Sequence, residues 1–196
     1  MTNELKMPEM LEGKRVKLIP LSMAHAEELW ESAKNEDLWE HYTFRKMESF
    51  EKFKDFLSGS LREAESGKGF TFTITDKSTG KMRGGTSFLD IQPAARSLEI
   101  GRTWLAKDLH GTGFNAECKF LLLRYCFEEL KLIRVFFKTD GNNIRSQKAM
   151  EKIGAKFEGV LRNHMIREDG TFRHSAYYSI IESEWEGVKE KLSEQL

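Results

Sequence analysis

The sequence predicts an α/β (α+β) protein, a mixed and mostly antiparallel central sheet of about seven strands flanked by helices and containing one βαβ unit. Three observations lead there. Apolar residues alternate with period two in several short segments, as in Phe70, Phe72 and Ile74. Between them, other segments place apolar residues at i, i+3 and i+4. One stretch, from Leu98 to Lys138, runs strand, Gly-x-Gly turn, helix and strand in succession.

Taken in order, residues 1–10 are expected to form a mobile polar tail. Val16, Leu18 and Pro20 then alternate with Lys17 and Ile19, an edge strand ending at a proline. Ser22 is placed to cap a helix carrying His25, Ala26, Leu29, Trp30 and Ala33. A second helix fits Ser49 to Ala64, with Phe50, Phe53, Phe56, Leu57 and Leu61 on one face and Gly67 and Gly69 beyond its end. The strand at Phe70–Ile74 turns over Asp76 to Gly80 and returns as Met82 to Ile91. Pro93 to Arg96 leads into a fourth strand over Leu98 to Leu105. Cys118, Leu121, Leu122 and Tyr125 mark the next helix, and Ile133 to Lys138 the strand after it. Asn143 to Ile153 is a shorter helix stopped by Gly154. A final hairpin turns at Glu168-Asp169-Gly170 and closes on Tyr177, Tyr178, Ile180 and Ile181, before a last helix over Glu184 to Leu192.

The 196 residues suit one core and one domain, 1–196, without repeats or a Pro-rich linker. Lys plus Arg and Asp plus Glu both count 31, so no net field gathers polyanions and no direct nucleic-acid partner is expected. No apolar run approaches the ~18 residues of a membrane span. The first residues carry no secretory pattern, and a cytoplasmic location is expected. Cys118 and Cys126, about 12 Å apart along a helix, cannot bridge and read as packing thiols. Two cysteines and five scattered histidines show no metal-ligand spacing, so no metal is expected.

The most informative segment is Trp104-Leu105-Ala106-Lys107-Asp108-Leu109-His110-Gly111-Thr112-Gly113-Phe114-Asn115-Ala116. It joins a strand to a helix through two glycines, where backbone N–H groups and the helix macrodipole suit a diphosphate. A tight turn with no ligand explains the same glycines. After the next strand, Asn143-Ile144-Arg145-Ser146 opens a helix that ends in Lys152-Ile153-Gly154-Ala155-Lys156-Phe157. Together these resemble the GNAT acetyltransferase superfamily, whose cofactor loop reads Gln/Arg-x-x-Gly-x-Gly/Ala and whose next motif begins Asn-x-x-Ser. The resemblance covers nearly all the chain. Within the superfamily it is similar to ribosomal-protein-alanine N-acetyltransferases, in Glu12-Gly13-Lys14-Arg15-Val16-Lys17-Leu18, Glu158-Gly159-Val160-Leu161-Arg162 and Tyr177-Tyr178-Ser179. His110 and Asn115 depart from the loop pattern.

The resemblance implies an N-acetyltransferase that moves the acetyl group of acetyl-coenzyme A to a primary amine by direct attack in a ternary complex, releasing coenzyme A. The acceptor it favours is a protein N-terminal α-amine. Small-molecule amines (a polyamine, amino acid or antibiotic) form a second acceptor class, and a non-catalytic acyl-CoA-binding regulator is the alternative of a different kind. Related enzymes often pair, which implies a possible homodimer. The implied cofactor contacts are Trp104, Leu105, His110, Gly111, Thr112, Gly113, Phe114, Asn115, Asn143 and Ser146, with the N–H of Trp104 or Leu105 as oxyanion donor. Glu99 is the implied base. The tyrosine that usually serves as acid is replaced by Met150, leaving Ser146 as the acid. Asn143 is placed both to cap its helix and to touch the cofactor. Trp39, Tyr42, Glu99, Arg162 and His164 are candidates to line the acceptor site. About a tenth of α-amines are neutral at pH 7, against on the order of 0.04% of lysines, so an α-amine asks little of the base.

Overall fold

The computed structural model describes residues 5–44 and 46–196. Among them, eight strands form one sheet: β1 (Leu11–Glu12), β2 (Val16–Pro20), β3 (Gly69–Asp76), β4 (Met82–Gln92), β5 (Ser97–Leu105), β6 (Arg134–Asp140), β7 (Lys156–Ile166) and β8 (Phe172–Ile181). Their spatial order is β1-β2-β3-β4-β5-β6-β8-β7. Every neighbouring pair is antiparallel except β5 and β6, the two strands of the βαβ unit. The eighth strand, beyond the seven expected, is β1, whose two residues are too short for any period to show.

Five α-helices flank the sheet: α1 (Ala26–Ala33), α2 (Phe50–Glu65), α3 (Phe114–Arg124), α4 (Ile144–Lys152) and α5 (Trp185–Ser193). Asn143 caps the helix expected of it, Ser22 caps the 3-10 turn Met23–His25 that leads into α1, and Ser49, expected as the first residue of α2, is its cap. Ser49 Oγ accepts from Lys52 N at 3.1 Å at the head of α2, and Asn143 Oδ1 accepts from Ser146 N at 3.0 Å at the head of α4. Gly154, at φ +90°, ends α4 in the left-handed conformation that favours glycine. The first four residues of the expected tail lie outside the described residues. Residues 5–10 do not trail: Leu5 and Met7 pack on the main core, and Tyr125 Oη donates to Lys6 O at 2.7 Å.

Alternation splits the sheet into two faces. Val16, Leu18, Phe72, Ile74, Phe88, Leu98, Ile100, Val135, Phe137 and Tyr178 turn one way and meet Cys118, Leu121 and Leu122 of α3 together with Trp185 and Val188 of α5. On the other face α1 and α2 gather Leu29, Trp39, Phe53 and Leu57 around Trp104. That second layer covers only the β2–β5 part. The same face of β6, β8 and β7 carries Lys138, Tyr177, Ser175, Arg173 and His164.

Two irregularities in β5 position the site. Ser87 pairs with Gly101 and Gly85 with Trp104, so Arg102 and Thr103 oppose Thr86 alone. This bulge, with Arg102 at φ +48°, puts Gly101 and Arg102 on the same face and reverses the alternation after them. The second irregularity is the partnership with β6, which lasts for three residue pairs, Ser97↔Arg134, Leu98↔Val135 and Glu99↔Phe136. Beyond Glu99 the two strands part.

Candidate active site

Glu99 stands at the point of parting. Its residue is 2% exposed, and Lys138 Nζ of β6 lies 2.7 Å from Oε2 as an ion pair without hydrogen-bond alignment. Burial pushes the Glu99 carboxyl above the ordinary glutamate range, and the Lys138 ammonium opposes the shift. Gly101 makes this placement possible: a Cβ there would come within 2.5 Å of Glu99 Oε1.

Two neighbours of the gap went unread in the sequence. Lys119 of α3 extends into it from the opposite face, with Nζ 2.5 Å from Thr103 Oγ1 on β5 and 6.0 Å from the Phe137 ring on β6. Thr103 in turn shares a 2.7 Å hydrogen bond with Thr86. Burial drives the Lys119 pKa down to about 8, while Cys118 and Glu99 pull the other way. Arg102, reversed by the bulge, makes a two-point ion pair with Glu63 of α2 at 2.5 and 2.8 Å. A lysine among apolar helix neighbours was the available signal for Lys119. Nothing local announces a bulge.

The glycine turn has the expected geometry. Gly111 and Gly113 adopt φ +77° and +86°, and Gly113 is the N-cap of α3 with no side chain capping the helix. The leading amides of Gly113, Phe114, Asn115 and Ala116 therefore present the positive end of the helix dipole. Asn115 Oδ1 is buried and has no partner among the described residues. Arg15 adds a cation that sequence reading missed. It donates through Nη1 to Thr112 O at 3.1 Å, lies over the Phe114 ring at 5.5 Å, and is anchored by Glu117 at 3.4 Å. Both ring nitrogens of His110 face protein partners, Nε2 at 3.0 Å from Leu105 O at the end of β5 and Nδ1 at 3.4 Å from Arg145 Nη1 of α4. Its imidazole braces the turn.

Strand parity separates Trp104 from Leu105. Ala106 N donates to Arg83 O of β4 at 2.8 Å, so Trp104, two residues earlier, also turns its backbone to β4. Leu105 turns its backbone the other way, toward the side that β6 has left, and its carbonyl meets His110. Trp104 is thereby corrected from a cofactor contact to a packing residue. Its indole packs tilted at 5.5 Å from Trp39 and edge-on at 5.8 Å from Phe53, against Gly85, where a Cβ would come within 2.9 Å of Nε1. Trp39 is corrected in the same way. It is fully buried and donates from Nε1 to Ala33 O at 2.7 Å, so it lines no cleft.

The other acceptor-side residues fall around the open face. Tyr42 buries its hydroxyl with no hydrogen-bond partner among the described residues, and burial raises its pKa. The segment that carries it touches the last hairpin through Glu168 N, which donates to Thr43 O at 3.1 Å, and Lys52 of α2 reaches Glu168 as well, at 3.2 Å. His164 is turned inward by an irregularity of β7 at Asn163, with φ +50°. Its Nδ1 lies 3.0 Å from Ser175 Oγ and its Nε2 3.3 Å from Tyr177 Oη. Burial, then Lys138 and Arg173, lower its pKa. Arg162 is exposed on edge strand β7. Ser146 sits half-buried at the head of α4, its backbone N–H held by Asn143, and Met150 packs on the main core.

The structure thus brings together a buried carboxylate, a strand gap and an uncapped glycine turn. Residues 15–156 match the model of the acetyltransferase (GNAT) domain. YdaF of Bacillus subtilis (strain 168), a protein named for ribosomal N-acetyltransferase activity, is 36% identical over 111 residues, which cover 56% of this chain and 59% of YdaF. A crystal structure from T. thermophilus, described as an acetyltransferase, superposes with TM-score 0.88 at 35% identity, covering 97% of this chain and 98% of that one. Mycobacterium smegmatis RimJ, solved with CoA-disulfide, shares the fold at TM-score 0.81 and 22% identity, covering 95% and 94%. The chain belongs to the GNAT family of N-acetyltransferases, which draw the acetyl group from acetyl-coenzyme A.

Proposed function

We propose that this enzyme acetylates a protein N-terminal α-amine by direct attack on acetyl-coenzyme A, both substrates being bound at once. The observation that carries the reading is the buried Glu99, with its raised pKa, where β5 and β6 part. A carboxylate held above its usual range is a better base near neutrality, and Glu99 faces the open side on which an acceptor can arrive. The name of YdaF, a ribosomal N-acetyltransferase, supports a ribosomal-protein acceptor.

Each remaining task has a residue. The leading amides of α3, with Arg15 over the turn, suit the diphosphate of the coenzyme. The unpartnered Asn115 amide fits there as well, since rotation about χ2 exchanges its oxygen for an N–H2 donor. Leu105 N–H and the Lys119 ammonium are the donors placed for the thioester oxygen as charge develops on it. Glu99 takes the proton of the attacking amine, and the Ser146 hydroxyl gives one to the departing thiolate.

The test is turnover with acetyl-coenzyme A and a library of N-terminal peptides and free amines, followed by thiol release and mass spectrometry. For the favoured acceptor, kcat/KM of the wild type should rise with pH through the Glu99 pKa. Glu99→Gln should lose that limb and fall by about 100- to 10,000-fold at neutral pH. An unaltered profile removes Glu99 as base. Coenzyme binding without acceptor-dependent thiol release favours a non-catalytic regulator instead.

A further inference from the structure

Most charges of the open face are paired, apart from the exposed Asp90, whose field reaches Glu99 and Tyr177, and one arginine. Glu99 matches Lys138, Glu63 matches Arg102, and Asp140 matches the buried Arg167. His164, its pKa lowered, adds no charge at neutral pH. Arg173 is left over. Its side chain makes no ion pair or hydrogen bond with a described residue, and its Nε is buried without a partner.

Its position follows from strand alternation. On β8, Arg173, Ser175 and Tyr177 share a face, Tyr177 pairs in register with Lys138 of β6, and Lys138 contacts Glu99. The groups whose fields reach the guanidinium are Asp140, Arg167, Glu99 and Tyr42. Of these, Asp140 is already engaged by Arg167 and by the Asn142 backbone, at 2.9 Å. Tyr42 contributes a second unpartnered polar atom, its buried hydroxyl. A desolvated cation beside a spare hydroxyl, on the face where the base waits, is costly to maintain unless a ligand completes it.

We propose that Arg173 binds a carboxylate of the acceptor, so that the substrate is an amine bearing an acidic group. This rests on the reading of the face as the acceptor site. One carboxylate matches the charge of the Arg173 guanidinium, which no described side chain engages, and fits its planar fork. A phosphate brings nearly two negative charges and meets the field of Glu99, which disfavours it. The carboxylate has two possible sources, the α-carboxylate of a free amino acid or an acidic side chain near a peptide N-terminus.

Binding of unreactive, already acetylated ligands tests the inference without turnover. Calorimetry on the full-length wild type compares N-acetylalanine with N-acetylalaninamide, and an N-acetyl dipeptide amide ending in Glu with its Gln counterpart. The acid member of one pair should bind about 10- to 100-fold more tightly, and which pair does so names the source. Arg173→Gln should bring that ratio to about one, and Arg173→Lys should keep part of it. If acid and amide bind alike, if neither binds, or if a folded Arg173→Gln keeps the preference, the inference is wrong. Acetylation of many amines without acid preference would sink this inference and leave the reaction standing. Acid-selective binding with no thiol release from acetyl-coenzyme A would do the reverse.

Discussion

Lys119 carries a charge where burial disfavours it. Its pKa falls from 10.5 in the unfolded reference to about 8 in the fold, and at 1.36 kcal/mol per unit the cost is roughly 3 kcal/mol. Below about pH 8 both states hold the proton and the full cost is present. Between there and about 10.5 the unfolded chain binds more protons, so stability rises with pH. Lys119→Met should therefore raise the unfolding free energy by up to about 3 kcal/mol at pH 7, a gain that shrinks by pH 10. Urea titrations at the two pH values check this, and an equal gain at both would assign the effect to packing. Glu99 was picked out by the family resemblance, because a glutamate between Leu98 and Ile100 only continues the alternation of a strand and does not announce its burial. The sequence could not show Arg173, since a solvated arginine and one without a partner are spelled alike. Trp39 misled for a related reason: an aromatic ring lines a cleft or fills a core with the same letter.

At the scale of elements, the head of α4 separates two roles for one residue. Asn143 Oδ1 is already spent on the Ser146 amide. Asn143→Ala should cost about 1 kcal/mol of stability, the usual value of such a cap, and change the dissociation constant for coenzyme A less than about twofold. Thermal denaturation and calorimetry measure the two effects, and a tenfold loss of affinity would assign Asn143 to the coenzyme as well. Helix boundaries were legible because their signals are local: Ser49, Asn143, Gly113 and Gly154 each act within four residues of their position. Strand parity was not, because whether Trp104 or Leu105 faces the gap depends on which carbonyl of β4 Ala106 finds. That is a contact between strands, and no local pattern encodes it.

For the whole molecule, the β1–β5 and β6–β8 parts of the sheet are joined by three residue pairs, and a ligand held between the parted strands should brace both. At coenzyme A concentrations about 100 times the dissociation constant the stabilisation is about 2.7 kcal/mol, or roughly 5 to 10 °C in Tm for a domain of this size. A thermal-shift titration checks it, and an unmoved Tm at saturating coenzyme would mean that the gap is not where it binds.

The extra residue in β5 has a further consequence. Which side chains of that strand look toward the acceptor, and which toward α3, depends on how many residues lie between Gly101 and Trp104 and little on which they are. Evolution can therefore rewrite the spelling of this stretch while its length stays fixed. A codon lost there would swap inside for outside across the turn that leads to the helix, a change no compensating substitution at a single site could undo.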